Sequence, residues 1–210
     1  MPELPDITVY VERLDKLVRG HALTGIRLAS PFLLRSVDPP VSAVAGKSVR
    51  ALRRLGKRIV FALDDDLFVV LHLMIAGRLQ WKDKGAKVPG KVGVAAFDFD
   101  NGTLTLTEAS QKKRASLYVV RGEAGLVEHD PGGLELLDGN ATVADFKAAL
   151  TAERHTLKRT LTDPRVFSGI GNAYSYEILH RAKLSPVTMT TNLDDTEVAR
   201  LFDATRAILV

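Results

Sequence analysis

The 210-residue chain contains no cysteine, which excludes disulfides and any cysteine-ligated zinc within these residues. It has no run of about 18 apolar residues, so no helix is expected to span a membrane. The amino terminus does not carry the basic-then-apolar layout of a secretory signal, and an intracellular, cytoplasmic location is the expectation. There is no internal repeat and no low-complexity segment. What is present is ordinary for a folded protein, with 46% hydrophobic and 26% charged residues, and the length fits one large or two small domains. The formal net charge is only +4, but the cations are grouped. Lys47, Arg50, Arg53, Arg54, Lys57 and Arg58 form one group, Lys112, Lys113 and Arg114 a second, and Arg154, His155, Lys158, Arg159 and Arg165 a third. Solvated side chains on an exposed face account for any one group. Three groups, each beside a candidate functional element, fit a surface that tracks phosphates.

The chain opens Met1-Pro2-Glu3-Leu4-Pro5-Asp6. With Met1 removed, it would begin with a secondary amine followed at once by a carboxylate. A free α-amino group titrates near ~8, against ~10.4 for lysine, so part of it is an unprotonated nucleophile at neutral pH. Attack by a secondary amine on a sugar carbon gives an iminium ion, positively charged without a proton and therefore an electron sink. A polar, proline-rich leader ahead of a helix explains the same six residues.

Ile7, Tyr10, Val11, Leu14, Leu17 and Val18 recur at helical spacing and predict a helix over residues 5–19, ending at Gly20. Strands are expected from about 22 to 121. Ile59 to Leu63 and Leu67 to Leu71 are apolar runs flanking a turn at Asp64-Asp65-Asp66, and Phe97 to Leu106 alternates around Asn101-Gly102, a hairpin signal. Lys82 to Lys91 reads as an exposed loop. Residues 122–141, with five glycines and Pro131, read as the connection between a domain at 1–121 and one at 142–210. The second domain is helical: one helix capped by Thr142, one from Arg154 to Leu161, one from Asn172 to Ala182, and one capped by Asp194 or Asp195.

In Asp163-Pro164-Arg165-Val166-Phe167-Ser168-Gly169-Ile170-Gly171-Asn172-Ala173-Tyr174, two glycines two apart precede a helix start. Bare amides at such a turn, with the helix dipole behind them, can receive a phosphate. A turn that merely joins two helices has the same sequence.

Taken together, these pieces resemble the formamidopyrimidine-DNA glycosylase / endonuclease VIII family of base-excision repair enzymes. The resemblance rests on Pro2-Glu3-Leu4-Pro5, Gly56-Lys57-Arg58, His72-Leu73, and Gly169-Ile170-Gly171-Asn172 with Glu177, Leu179, Arg181, Ala182 and Pro186. It implies an α+β fold: an N-terminal helix and two-layer β-sandwich, then a helix–two-turn–helix domain, with DNA in the cleft between. It also implies a bifunctional glycosylase and abasic-site lyase acting as a monomer on damaged double-stranded DNA, with no membrane partner. Pro2 would attack C1′ and Glu3 would move protons, with Asp6 as a supporting carboxylate. Lys57, His72 and Asn172 would hold phosphates around the lesion. Lys113, Arg114, Gly171 and Arg165 are further candidate DNA contacts. No metal or cofactor is expected within residues 1–210.

The chain departs from the family pattern in four places. Asp6 stands where the family usually carries Glu. The family's His-Leu-Gly-Met-Ser-Gly is His72-Leu73-Met74-Ile75-Ala76-Gly77 here, which places Ile75 at the apolar wedge that fills the gap left by a flipped base. On extended chain Met74 faces the other way, as a core residue with DNA contact as the alternative. The Asp-Pro-Arg-Arg-Phe-Gly segment is replaced by Thr107 to Ser116, which has no aromatic. Finally, the family's C-terminal finger, zinc-bound or zincless, is not in the sequence, and a fragment is the expectation. A relative that only binds damaged or abasic DNA is the alternative reading of the whole.

Overall fold

A computed structural model describes residues 1–210. The fold is α+β. It divides into two compact units, one made of residues 1–2 and 6–129, the other of residues 3–5 and 130–210. The unit boundary at His129/Asp130 falls inside the stretch read as a connection.

The first unit carries helix α1 (Leu4–Val18) from Asp6 onward, then β1 (Ala22–Leu28), β2 (Lys47–Leu55), β3 (Arg58–Leu63), β4 (Leu67–His72), β5 (Gly77–Lys82), β6 (Gly93–Phe99), β7 (Gly102–Glu108), β8 (Ser116–Arg121) and α2 (Gly122–Val127). All strand pairs are antiparallel, in the order β5-β7-β6-β1-β2-β3-β4-β8. The β1–β2 join is only two residue pairs long, so the strands form two four-stranded layers. Their inner faces meet through Phe61 of β3, whose ring lies 6.1 Å from Phe97 and 6.5 Å from Phe99 of β6.

The continuous apolar runs of β3 and β4 now have a cause. Ile59, Phe61 and Leu63 face the sandwich core, while Val60 and Ala62 face outward with Phe68 and Val70 under Leu126 of α2. A strand covered on both faces has no polar side to display. Helix α2 lies within the glycine-rich stretch read as a linker. Its formation is tertiary, set by the apolar outer face of β3–β4 that Leu126 covers, and local sequence gives no sign of it.

The Asn101-Gly102 hairpin forms, but not through a glycine turn. Phe99 pairs with Gly102, so Asp100-Asn101 is the connection, and Gly102 has ordinary backbone angles. Its missing side chain is needed elsewhere: a Cβ there would sit 2.3 Å from the Trp81 indole.

The second unit holds α3 (Val143–Thr151), α4 (Leu157–Thr162), α5 (Asn172–Ala182) and α6 (Asp195–Leu209) around Phe146, whose ring lies 4.7 Å from Phe167 and 5.5 Å from Phe202. Thr142 with Asp145, and Asp194 with Glu197, form reciprocal capping boxes at the starts of α3 and α6. Helix α4 starts at Leu157 rather than Arg154. Thr156 pairs with Met189, and the Leu157 amide donates to the Thr188 carbonyl at 2.8 Å, which keeps residues 154–156 out of the helix. Lys183, with φ of 54°, terminates α5 in a left-handed cap.

Candidate active site

Pro2 is buried, and Glu3, just ahead of α1, is only 2% exposed. The Glu3 carboxylate lies in the Gly169–Asn172 turn at the start of α5. Its Oε2 accepts from the amides of Gly171 (2.6 Å) and Tyr174 (3.2 Å), and its Oε1 from the amide of Ala173 (2.9 Å). The turn is therefore an anion site, one of the two readings its sequence allows, but the anion is the chain's own carboxylate. The Gly171 N–H, a candidate DNA contact from sequence, already donates to Glu3.

Both glycines are required by this arrangement. Gly169 has φ of 80°, and a Cβ on it would meet the Leu4 Cβ at 2.6 Å. Gly171 has φ of −132°, open to any residue, yet a Cβ would lie 2.5 Å from the Glu3 Cδ. The Leu4 amide donates to the Gly169 carbonyl at 2.9 Å, fixing the backbone beside Glu3. Asn172 is the exposed first residue of α5, and Asp6 is exposed in the first turn of α1.

In the first unit, Gly56 (φ 57°) and Lys57 make the tight turn between β2 and β3, and His72 closes β4 opposite Arg58. The His72 Nε2 is buried without a hydrogen-bond partner. Burial first, then the charges of Arg58 and Lys57, push its pKa down from 6.5 to about 4. His72 is neutral at pH 7, and any phosphate it meets is met by a neutral ring N–H beside cations. Between pH 6.5 and about 4 the unfolded chain binds a proton that the folded imidazole refuses. Stability should therefore fall as pH drops through that window, by up to about 3 kcal/mol. Urea denaturation at pH 7 and pH 4.5 checks this: His72→Gln should lose less stability on acidification than the parent chain. An equal loss in both would show that the imidazole is not held neutral.

Two family models match, the formamidopyrimidine-DNA glycosylase N-terminal domain over residues 1–115 and its H2TH domain over residues 133–210. The chain belongs to the formamidopyrimidine-DNA glycosylase family. Formamidopyrimidine-DNA glycosylase from Heliobacterium modesticaldum is 31% identical over 215 residues, covering all of this chain and 77% of that protein. The protein of the same name from Desulforamulus reducens is 32% identical over 212 residues, covering 97% of this chain and 75% of its own. The crystal structure of the Lactococcus lactis formamidopyrimidine-DNA glycosylase, non-covalently bound to DNA containing an AP site, matches with a TM-score of 0.89. At 22% identity, over 99% of this chain and 80% of that one, this likeness speaks for the fold.

Between His72 at the end of β4 and Gly77 at the start of β5, Met74–Ala76 form a turn and not extended chain, so strand alternation does not place Met74 in the core. The Gly77 amide donates to the Leu73 carbonyl at 2.9 Å, and a Cβ on Gly77 would strike that carbonyl at 2.3 Å. Met74, where the family carries glycine, is half-buried and left-handed with φ of 52°, while Ile75 is 56% exposed at the tip. The Arg78 guanidinium donates to the Gly77 carbonyl at 2.7 Å and braces the turn from below.

The basic candidates are not equivalent. The Lys113 ammonium donates inward to the Glu108 carbonyl, whereas Lys112 and Arg114 are exposed. Arg165 is exposed but held two-pronged by Asp163, at 3.0 and 2.6 Å, and its guanidinium takes the Asp163 carboxyl down to about 2. Glu108 and Asp163, the carboxylates that sort these cations, are absent from a reading based on basic clusters alone. The only sequence signal for Glu108 is an acidic residue ending an alternating strand just before Lys112-Lys113-Arg114.

Proposed function

We propose that this chain is a base-excision repair DNA glycosylase with abasic-site lyase activity, working on damaged double-stranded DNA through Pro2. The observation that carries the reading is the Glu3 carboxylate, buried and oriented by three backbone amides, next in sequence to Pro2, which becomes terminal once Met1 is removed. With Met1 removed, the Pro2 nitrogen lone pair attacks C1′, the sugar ring opens, and the N-glycosidic bond breaks with its electron pair leaving on the base. Glu3 supplies a proton to this step and accepts one back as the iminium forms. The iminium acidifies the adjacent sugar C–H bonds. Loss of a proton expels the 3′ phosphate, and a second elimination expels the 5′ phosphate. Lys57, His72 and Asn172 hold the backbone phosphates, and Ile75 fills the space left by the rotated nucleotide.

Borohydride tests this directly, because it reduces the iminium to a stable amine. Protein whose intact mass begins at Pro2 should yield a covalent adduct with abasic DNA, and the attachment should map to Pro2. No adduct from such protein would reject the mechanism.

One observation favours a second reading, a family member that binds damaged or abasic DNA without cutting it. Both Glu3 oxygens are already committed to backbone amides. That reading predicts salt-dependent binding with no strand scission by the parent chain.

A further inference from the structure

The connection between β7 and β8 carries three consecutive cations, Lys112-Lys113-Arg114, and left to itself such a segment would repel and spread. It is instead wound around a buried carboxylate. Glu108 is 1% exposed. The Arg114 amide donates to both of its oxygens, at 3.0 and 2.9 Å, and the Ala115 amide to Oε2 at 3.1 Å. The Lys113 ammonium donates to the Glu108 main-chain carbonyl, and the Ser110 hydroxyl closes the loop on the Lys112 carbonyl at 2.7 Å. The outcome is a sorting of charge: Lys113 is turned inward, and Lys112 and Arg114 are turned out, exposed and without an ion pair.

We propose that Glu108 is a positioning residue for DNA binding, which sets the loop so that Lys112 and Arg114 each meet a backbone phosphate. The inference rests on the DNA-acting reading above. It has a sign that simple electrostatics does not give. Removing an acidic group should strengthen binding to a polyanion. Here it should weaken binding, because the carboxylate is out of solvent and the cations depend on it for their placement.

The experiment measures binding of the full chain to a short duplex holding one stable abasic analogue, across ~50 to ~200 mM salt. Each phosphate contact contributes about 0.9 to the slope of log K against log salt. The Lys112→Ala/Arg114→Ala double variant should lower the slope by about 1.8, roughly 60-fold in affinity at ~0.1 M salt relative to 1 M. Glu108→Gln should lose a comparable slope although it removes no cation, and Glu108→Asp should recover most of it. The Glu108→Gln loss should fall in Kd and KM and not in the single-turnover rate at saturating protein, which a general loss of structure would also lower. Equal or tighter binding by Glu108→Gln overturns the proposal. If thermal melting shows that Glu108→Gln does not fold, the double variant decides, and an unchanged slope overturns the proposal. A parent chain that does not bind the duplex defeats the functional reading and this inference together, a result distinct from a parent that binds while Glu108→Gln matches it.

Discussion

Gly171→Ala is expected to unseat Glu3 and to cost about 3 kcal/mol or more of stability in the second unit. The backbone angles at Gly171 suit alanine, so the cost is not conformational. It comes from space: the new methyl carbon would lie 2.5 Å from the Glu3 Cδ and 2.6 Å from Oε1, inside van der Waals contact. A solvent-facing glutamate would swing away at little cost. Glu3 is buried and tied to three amides, so moving it strips a carboxylate from its donors and leaves the Gly171 N–H buried and unpaired. For a unit of this size the loss corresponds to a fall in melting temperature of roughly 10 °C or more. On the mechanism proposed above, in which Glu3 transfers protons, excision should fall by about two orders of magnitude or more, because the carboxylate no longer stands where it was held. A double-mutant cycle isolates the cause. In a Glu3→Ala background the methyl has room, and Gly171→Ala should then cost little. A full cost in both backgrounds would place the damage in the turn itself and not in the contact with Glu3.

Much of the architecture could be read from residue spacing. Helical recurrence predicts α1 to within one residue at each end, Thr142 marks one helix start, and of Asp194 and Asp195, both candidates for another, Asp194 is the cap. These features are local, and local chemistry is what a sequence displays. The misread stretches are those where a distant segment decides. Residues 122–127 have the glycines of a linker, and they become helix because Leu126 finds Val60 and Phe68. Residues 154–156 are held out of α4 by the strand-like pairing of Thr156 with Met189. Strand alternation predicts Met74 in the core, and a main-chain bond from Gly77 to Leu73 turns the chain there instead.

The candidate site divides in the same way. The adjacency of Pro2 and Glu3 suggests a nucleophile beside an acid, though a proline-rich leader has the same sequence, and the glycines at 169 and 171 suit either an anion site or a plain turn between helices. That these are one feature could not be read, because Glu3 and Gly171 are separated by 168 positions. A lone turn of this kind is equally good for a phosphate or a carboxylate; only the tertiary structure says which anion arrives. The same holds for the cations. Lys113, Arg114 and Arg165 look interchangeable in the sequence, and buried Glu108 and half-buried Asp163 make them unlike.

Glu3→Gln is expected to slow excision of an intact damaged base by about 10²–10⁴-fold while leaving DNA affinity within a few-fold of the parent. The substitution keeps the size of the side chain and removes its capacity to move a proton. It also exposes how the cradle works. Three backbone donors face the Glu3 oxygens: the amides of Gly171 and Tyr174 at Oε2 and that of Ala173 at Oε1. A glutamine can offer its carbonyl to one side only. Its NH2 must then face an N–H, and the least costly orientation sets it against Ala173, where a 2.9 Å hydrogen bond becomes a donor–donor contact. A stability loss of about 1–3 kcal/mol should accompany the loss of chemistry. Single-turnover excision, thermal melting and duplex binding on the same preparation separate the two effects. The direct route through Glu3 predicts a rate loss much larger than the unfolded fraction can explain at the assay temperature. Pro2 remains, so cleavage at a preformed abasic site should survive better than base removal, since that substrate has no glycosidic bond left to break. Excision by Glu3→Gln at the parental rate would remove Glu3 from the proton-transfer role, leaving the three-amide cradle with a purely structural purpose. A parent chain that cuts neither substrate while binding both would establish the binding-only reading instead.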